Sequence, residues 1–96
     1  MGEVTRLGDA IRQLASLDQD ATIYAAEPWT AESVAIVAIE PDSGGIPEEA
    51  ATRGLKYFLE VAVARDFLEG WESTLDSPPT ASERCARLIR YAIDDA

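Results

Sequence analysis

The seven residues from Ser33 to Ile39, SVAIVAI, decide how the rest of the chain is read. Val and Ile favour strands, and both alternating faces of this stretch are apolar. A strand without a polar face is normally covered on both sides. In a chain of 96 residues, we expect the second cover to be either a loop and short helix of the same chain or another subunit.

The segments on either side of this stretch predict two more strands. Residues 21–26 contain Thr, Ile and Tyr, and the following Glu-Pro-Trp-Thr breaks the pattern. Residues 55–61 alternate in polarity after a turn rich in Pro, Asp, Ser and Gly at residues 40–45. Residues 47–75 could instead form one continuous helix, which would leave a β-hairpin as the only sheet.

Apolar residues at three- and four-residue steps predict helices at both ends of the chain. The first runs from Val4 to Leu17, and Gly8 inside it indicates a close backbone contact. A helical hairpin follows from Val63, and its second helix begins at the capping-box pair of Thr80 and Glu83.

Two further patterns concern short-range structure. Pro47 and the two acids after it predict a short helix that Gly54 closes. In the last helix, arginines recur at three-residue spacing, and we expect them to pair with acids of the preceding helix and of their own helix. These arginines are Arg84, Arg87 and Arg90.

Together these patterns predict a single α+β domain over residues 1–96. It has a three-stranded, mainly antiparallel sheet, an N-terminal helix and a C-terminal helical hairpin, in the order α-β-β-β-α-α. The alternative is a mostly helical domain with one β-hairpin.

Composition limits the classes of partner. The formal net charge is −10 and the pI is about 4.2, so the chain is repelled by nucleic acid and by anionic membrane surfaces. No stretch approaches the ~20 apolar residues of a membrane span. One cysteine cannot form an internal disulfide, and we expect a cytoplasmic protein. The many Arg and Ala residues are typical of a GC-rich bacterial source.

The residues that usually carry catalysis are missing. Without histidine there is no Ser-His or Cys-His arrangement and no imidazole ligand for a metal. Cys85 lies on the apolar stripe of the last helix, which predicts a buried thiol. The acidic pairs lack the spacing of an EF-hand loop. We therefore predict no catalytic, cofactor-binding or metal-binding residues and no enzymatic activity.

The acidic residues are concentrated in one segment. Between Arg12 and Arg53 there are eight acids and no Lys or Arg. Trp29 lies among them in a Pro-containing connection, where an aromatic ring need not be buried. An exposed aromatic among unpaired acids is typical of an interface hot spot. The predicted partner-binding residues are Tyr24, Glu27, Trp29, Glu32, Glu40, Asp42, Glu48 and Glu49.

The function predicted from these features is that of a non-catalytic inhibitor. The chain would bind and occlude a basic protein, such as a nuclease-like toxin, without binding nucleic acid or a membrane itself. In size, charge and lack of catalytic groups it resembles the small acidic immunity proteins and antitoxins that neutralise bacterial toxins. The alternative hypothesis is a self-associating structural or adaptor domain, such as a homodimer.

Overall fold

The computed structural model describes residues 4–95 and contains a four-stranded antiparallel sheet with four α-helices. The strands are Val4–Arg6 (β1), Ala21–Ala25 (β2), Val34–Ile39 (β3) and Lys56–Glu60 (β4). The helices are Leu7–Arg12 (α1), Glu48–Ala51 (α2), Val61–Glu72 (α3) and Ala81–Asp95 (α4), with a 3-10 turn at Leu14–Ser16. The predicted α+β class is confirmed.

The sheet has four strands instead of the predicted three. The additional strand is β1, at the start of the part of the chain that the structure describes. Val4 pairs with Ile36, and Arg6 with Val34, so β1 adds an edge to β3. The helix predicted from Val4 to Leu17 therefore begins at Leu7, and it ends at Arg12, with the 3-10 turn at Leu14–Ser16 following it. A three-residue strand is too short to show alternation, while Val4, Leu7 and Ile11 keep helical spacing across the boundary between strand and helix.

The sheet order is β1-β3-β2-β4, so β2 and β3 are the central strands. Because β4 is a strand, the predicted third strand is confirmed and the alternative of one continuous helix over residues 47–75 is wrong. A bulge shifts the pairing between β2 and β4: Ile23 is opposite Leu59, but Tyr24 is opposite Tyr57. Phe58 is the extra residue, and it is buried next to the buried Leu59. The bulge thus interrupts the alternation predicted for residues 55–61.

The larger part of the core lies between one face of the sheet and α1, α3 and α4. It contains fifteen buried residues, among them Ile23 of β2, Leu68 of α3 and Leu88 of α4. Cys85 belongs to this core and is 7% exposed, which confirms the predicted buried thiol.

The other face of the sheet is covered by the segment that carries α2. Ala50 and Leu55 of this segment pack on Tyr24 and Ile36. The second cover is therefore a loop and short helix of the same chain. β2 is buried along its whole length, whereas β3 leaves its two terminal residues exposed.

The start of α4 and the end of α2 have the capping interactions that the sequence predicts. The Glu83 N–H donates to Thr80 Oγ1 at 3.1 Å, and the Thr80 N–H donates to Glu83 Oε1 at 2.8 Å, which completes the capping box. Gly54 has φ of +71° and follows α2. The Leu55 N–H donates to the carbonyl of Ala50 at 3.0 Å, as in a Schellman motif.

The α3–α4 hairpin keeps part of the predicted charge pairing. Arg84 Nε lies 3.0 Å from Glu72 Oε2, and Arg90 Nε lies 3.2 Å from Asp94 Oδ2 within α4. The guanidinium of Arg87 instead stacks over the ring of Phe67, 4.9 Å from its centroid. No helix among residues 4–95 is both long and apolar enough to cross a membrane.

Candidate protein-binding surface

The antiparallel pairing of β2 and β3 divides the acidic segment between two ends of the sheet. Ala21 is opposite Ile39 at one end, and Ala25 is opposite Ala35 at the other. Residues 26–33 connect the strands at the second end, which we call the loop end. We call the other end the acidic end: there Ala21 is opposite Ile39, and Glu60 of β4 is opposite Thr22. Its carboxylates are those of Asp18, Asp20, Glu40, Asp42 and Glu60.

At the loop end, Trp29 is held by the fold. Its ring is half-buried and packs edge-on against Phe58, with the centroids 5.0 Å apart and an interplanar angle of 88°. The indole Nε1–H donates to the carbonyl of Ala25 at 3.2 Å. Trp29 thus has both an apolar contact and a hydrogen-bond partner inside the molecule, so the fold fixes its ring and leaves only part of it accessible to a partner protein.

The acids of the loop end differ in their surroundings. Glu32 forms an ion pair with Arg6 of β1, and both side chains are exposed. Glu27 is exposed. Because the neighbouring strand supplies a cation, the predicted row of unpaired acids is interrupted at Glu32.

Tyr24 is only 1% exposed and belongs to the small core beneath α2. It therefore forms no part of the surface, although it was among the predicted partner-binding residues. Val, Ile, Tyr and Thr are all common in strands, and the sequence pattern does not show which face of β2 the α2 segment covers.

Tyr57 of β4 is an exposed aromatic residue whose backbone is opposite Tyr24, but whose hydroxyl is close enough to Glu60 and Glu40 of the acidic end for both carboxylates to act on it. Its side chain lies on the sheet face of Tyr24 and Glu60, and the residue is 48% exposed. Burial raises the pKa of the Tyr57 hydroxyl, the negative charge of Glu60 raises it further, and a backbone hydrogen bond from Glu60 partly offsets these effects. Glu40 also raises this pKa, so both carboxylates act on the same ring.

Tyr57 and Glu60 were not among the predicted binding residues. In a regular strand, residues three apart point to opposite faces, as the alternation in the sequence indicated. The bulge at Phe58 brings these two side chains to the same face. The sequence contains no clear signal for a bulge at this position.

The arginines that follow the acidic segment donate to backbone oxygens. Arg65 Nε donates to the carbonyl of Leu14 at 3.0 Å, and its Nη2 donates to the carbonyls of Ala15 and Leu17. Arg53 Nη1 donates to the carbonyl of Glu49 at 2.8 Å. The guanidinium groups of Arg53 and Arg65 thus donate to backbone carbonyls, and neither is in one of the ion pairs between side chains of residues 4–95.

Within residues 4–95 there are four side-chain ion pairs, and none involves a carboxylate of the acidic end. The remaining predicted acids belong to α2: Glu48 is exposed, and Glu49 is partly buried.

No three His, Cys, Asp or Glu side chains among residues 4–95 are placed to hold a metal ion together.

The acidic end thus combines an exposed tyrosine ring with carboxylates that form no ion pair in the described fold. Such a surface can accept several Lys or Arg side chains separately while the ring supplies apolar contact area. No protein family model, no curated protein and no solved structure matches this chain.

Proposed function

We propose that the protein is a non-catalytic binding module that uses its acidic end to bind a positively charged protein. The observation that carries this proposal is that the carboxylates of the acidic end form no ion pair within residues 4–95, while two of them, Glu60 and Glu40, lie near the exposed Tyr57. After burial, the negative charges of Glu60 and Glu40 raise the pKa of the Tyr57 hydroxyl.

Charge complementarity supports this kind of partner. Carboxylates that form no ion pair attract an approaching cation, which accelerates association and orients the partner. A tyrosine has two rotatable side-chain bonds and a large contact area, so it loses little conformational entropy on binding. The acidic end therefore has separate groups for steering and for contact.

The partner class that we propose is a basic enzyme or toxin, such as a nuclease. Enzymes that bind nucleic acid have cationic active surfaces, and an acidic protein bound there would exclude the substrate. This proposal keeps the inhibitor function of immunity-protein or antitoxin type predicted from the sequence. It moves the binding centre from Trp29 to Tyr57, and it retains Glu40 and Asp42.

The test compares two triple charge reversals. In the first variant, Glu40, Asp42 and Glu60 of the acidic end are each changed to Lys. In the matched control, the exposed acids Asp66, Glu69 and Asp76 are each changed to Lys, so that net charge changes equally. Each protein is immobilised, and a lysate of the source organism is passed over it.

We expect the wild type and the control to retain the same basic protein and the acidic-end variant to lose it. With that partner purified, association with the variant should be at least about tenfold slower at low salt and less dependent on salt. Retention of the partner by the acidic-end variant, or failure of the wild type to retain any basic protein, would contradict the proposal.

A further inference from the structure

Helix α4 has a core stripe and, beside it, a second stripe of small and apolar residues, of which only Ile89 also packs against the core. Cys85, Leu88 and Ala92 form the core stripe. The second stripe has steps of four, three and four residues, which place its members on one face of a helix. It consists of Ser82, Ala86, Ile89 and Ile93.

The second stripe forms one side of an open groove with a volume of about 510 Å³. Ser82 and Ala86 are exposed, Ile89 is half-buried, and Ile93 is 55% exposed. An isoleucine exposed to this extent on a groove has apolar area that the described part of the chain does not cover.

The opposite side of the groove has no large apolar side chain. It is formed where Gly8 of α1 touches Ala31, and the Gly8 N–H donates to the carbonyl of Ala31 at 2.9 Å. A Cβ at Gly8 would lie 3.1 Å from the Cβ of Ala31, so the close contact predicted from this glycine is confirmed. The small residues leave room for a second helix beside α4.

We infer that this groove binds a second copy of the chain, with the two α4 helices packed antiparallel about a two-fold axis. In this arrangement the axis passes between residues 87 and 88. Ser82 then lies opposite Ile93 of the second copy, and Ala86 lies opposite Ile89 of the second copy. Each large residue meets a small one, so the stripe is complementary to itself.

The charge distribution favours α4 over other surfaces for contact between two copies. The whole chain has a net charge of −10, so two copies repel each other, and this repulsion is smallest when neutral surfaces meet. Within α4, the arginines Arg84, Arg87 and Arg90 balance the acids Glu83, Asp94 and Asp95. The acidic end lies outside this helix.

Arg90 provides a specific charge contact for the antiparallel arrangement. It lines the groove, its side chain is 75% exposed, and its Nε donates to Asp94, so its two terminal nitrogens can donate to another partner. At 1.5 Å of rise per residue, Arg90 lies within about 3 Å along the helix axis of Glu83 of the second copy. Because of the two-fold symmetry, the contact between Arg90 of one copy and Glu83 of the other occurs twice in the dimer. Arg12, the other arginine of the groove, is paired with Asp9.

The contact is small, because the stripe spans eleven residue steps, or about 16 Å of helix. Interfaces of this size lie below the standard range for stable complexes. We therefore expect a dimer with a dissociation constant in the micromolar range. The inference does not depend on the proposed function, since it concerns a different surface and requires no other protein.

The first test measures the oligomeric state by sedimentation from about 1 to 500 µM protein, the range in which a small interface should dissociate. The wild type should pass from monomer to dimer over this range. Ile93→Glu should remain a monomer, because it places a charge in the apolar contact of both copies. The matched control Leu75→Glu changes an exposed leucine in the α3–α4 connection and should dimerise like the wild type.

The inference is overturned if the wild type is monomeric throughout this range or if Ile93→Glu dimerises as strongly as the wild type. Both substituted positions are exposed, and circular dichroism of each variant establishes that the monomer is folded.

The second test concerns the register of the two helices. Ile93→Ser should weaken the dimer about tenfold, since both copies lose apolar area. Ser82→Ile alone should bind no more tightly than the wild type, because it sets two isoleucines against each other. The double variant exchanges the large and small residues and should recover affinity to within about threefold of the wild type. A double variant as weak as Ile93→Ser would overturn the antiparallel register.

Discussion

The two ends of the β2–β3 hairpin carry acids of the same type in different surroundings. At the loop end, Arg6 of the neighbouring strand pairs with Glu32, and Trp29 is packed onto the core. At the acidic end, Glu40 forms no ion pair in the described fold, and Tyr57 is 48% exposed. The two ends therefore differ in whether a guanidinium group pairs with their acids and in how firmly their aromatic ring is held, and on our proposal the acidic end is the one that binds a partner.

The largest expected difference between the ends concerns their aromatic residues. Trp29→Ala removes the edge-on contact with Phe58 and the hydrogen bond to Ala25. We expect it to lower the free energy of unfolding by about 2–4 kcal/mol. Tyr57→Ala removes an exposed ring and should cost less than about 1 kcal/mol.

Urea denaturation of the two variants measures this difference. Equal losses of stability would contradict the distinction between an anchored and an exposed aromatic residue. A Trp29→Ala variant as stable as the wild type would restore Trp29 as a candidate contact residue.

A second prediction concerns the tyrosines of the acidic end at alkaline pH. Burial raises the pKa of Tyr24, the hydroxyl of Thr22 lowers it in part, and Glu40 and Glu60 raise it. The pKa of Tyr57 is raised as well. The unfolded chain, with the ordinary tyrosine pKa of 10.0, therefore loses these protons at lower pH than the folded chain does.

The free energy of unfolding should consequently be unaffected by these groups below about pH 10 and fall as the pH rises through the folded-state pKa values. Urea denaturation from pH 8 to about 11 measures this fall. The double variant Tyr24→Phe/Tyr57→Phe should show a shallower fall. A wild type whose stability does not decline above pH 10, or a double variant that declines as steeply, would contradict the prediction.

The smallest expected effect compares one acid from each end. Glu32→Gln removes an ion pair between two exposed side chains and should cost no more than about 0.5 kcal/mol. Glu40→Gln removes a charge without an ion pair and should leave the stability unchanged or raise it by a few tenths of a kcal/mol. Thermal unfolding at low and high salt measures this difference in stability between the two variants. The difference should be smaller at high salt, because salt screens interactions between exposed charges. A larger loss for Glu40→Gln than for Glu32→Gln would reverse the comparison.

Much of the fold could be predicted because its signals are local. The capping box at Thr80 and Glu83 and the closure of α2 at Gly54 depend on neighbouring residues, and both are present. The first strand was missed because its existence depends on pairing with β3. Val4 fits the spacing of a helix as well as that of a strand, so a long-range contact decides its structure.

The candidate site could be predicted less well than the fold. The sequence shows that acids are concentrated between Arg12 and Arg53, but it does not show that β2 and β3 separate them into two ends. The bulge at Phe58 brings Tyr57 beside Glu60, and the packing of Phe58 anchors Trp29. Both depend on tertiary contacts between residues far apart in the chain.

The unequal covers on the two faces of the sheet have a consequence for native-state motion. Fifteen buried residues lie in the core under α1, α3 and α4, but only four lie in the core under the α2 segment. Detaching that segment breaks few apolar contacts, so the amide hydrogens of α2 should exchange with solvent through local opening. The amide hydrogens of β2, paired on both edges, should exchange only when the whole domain unfolds. The two faces of one sheet thus correspond to two levels of protection against hydrogen exchange.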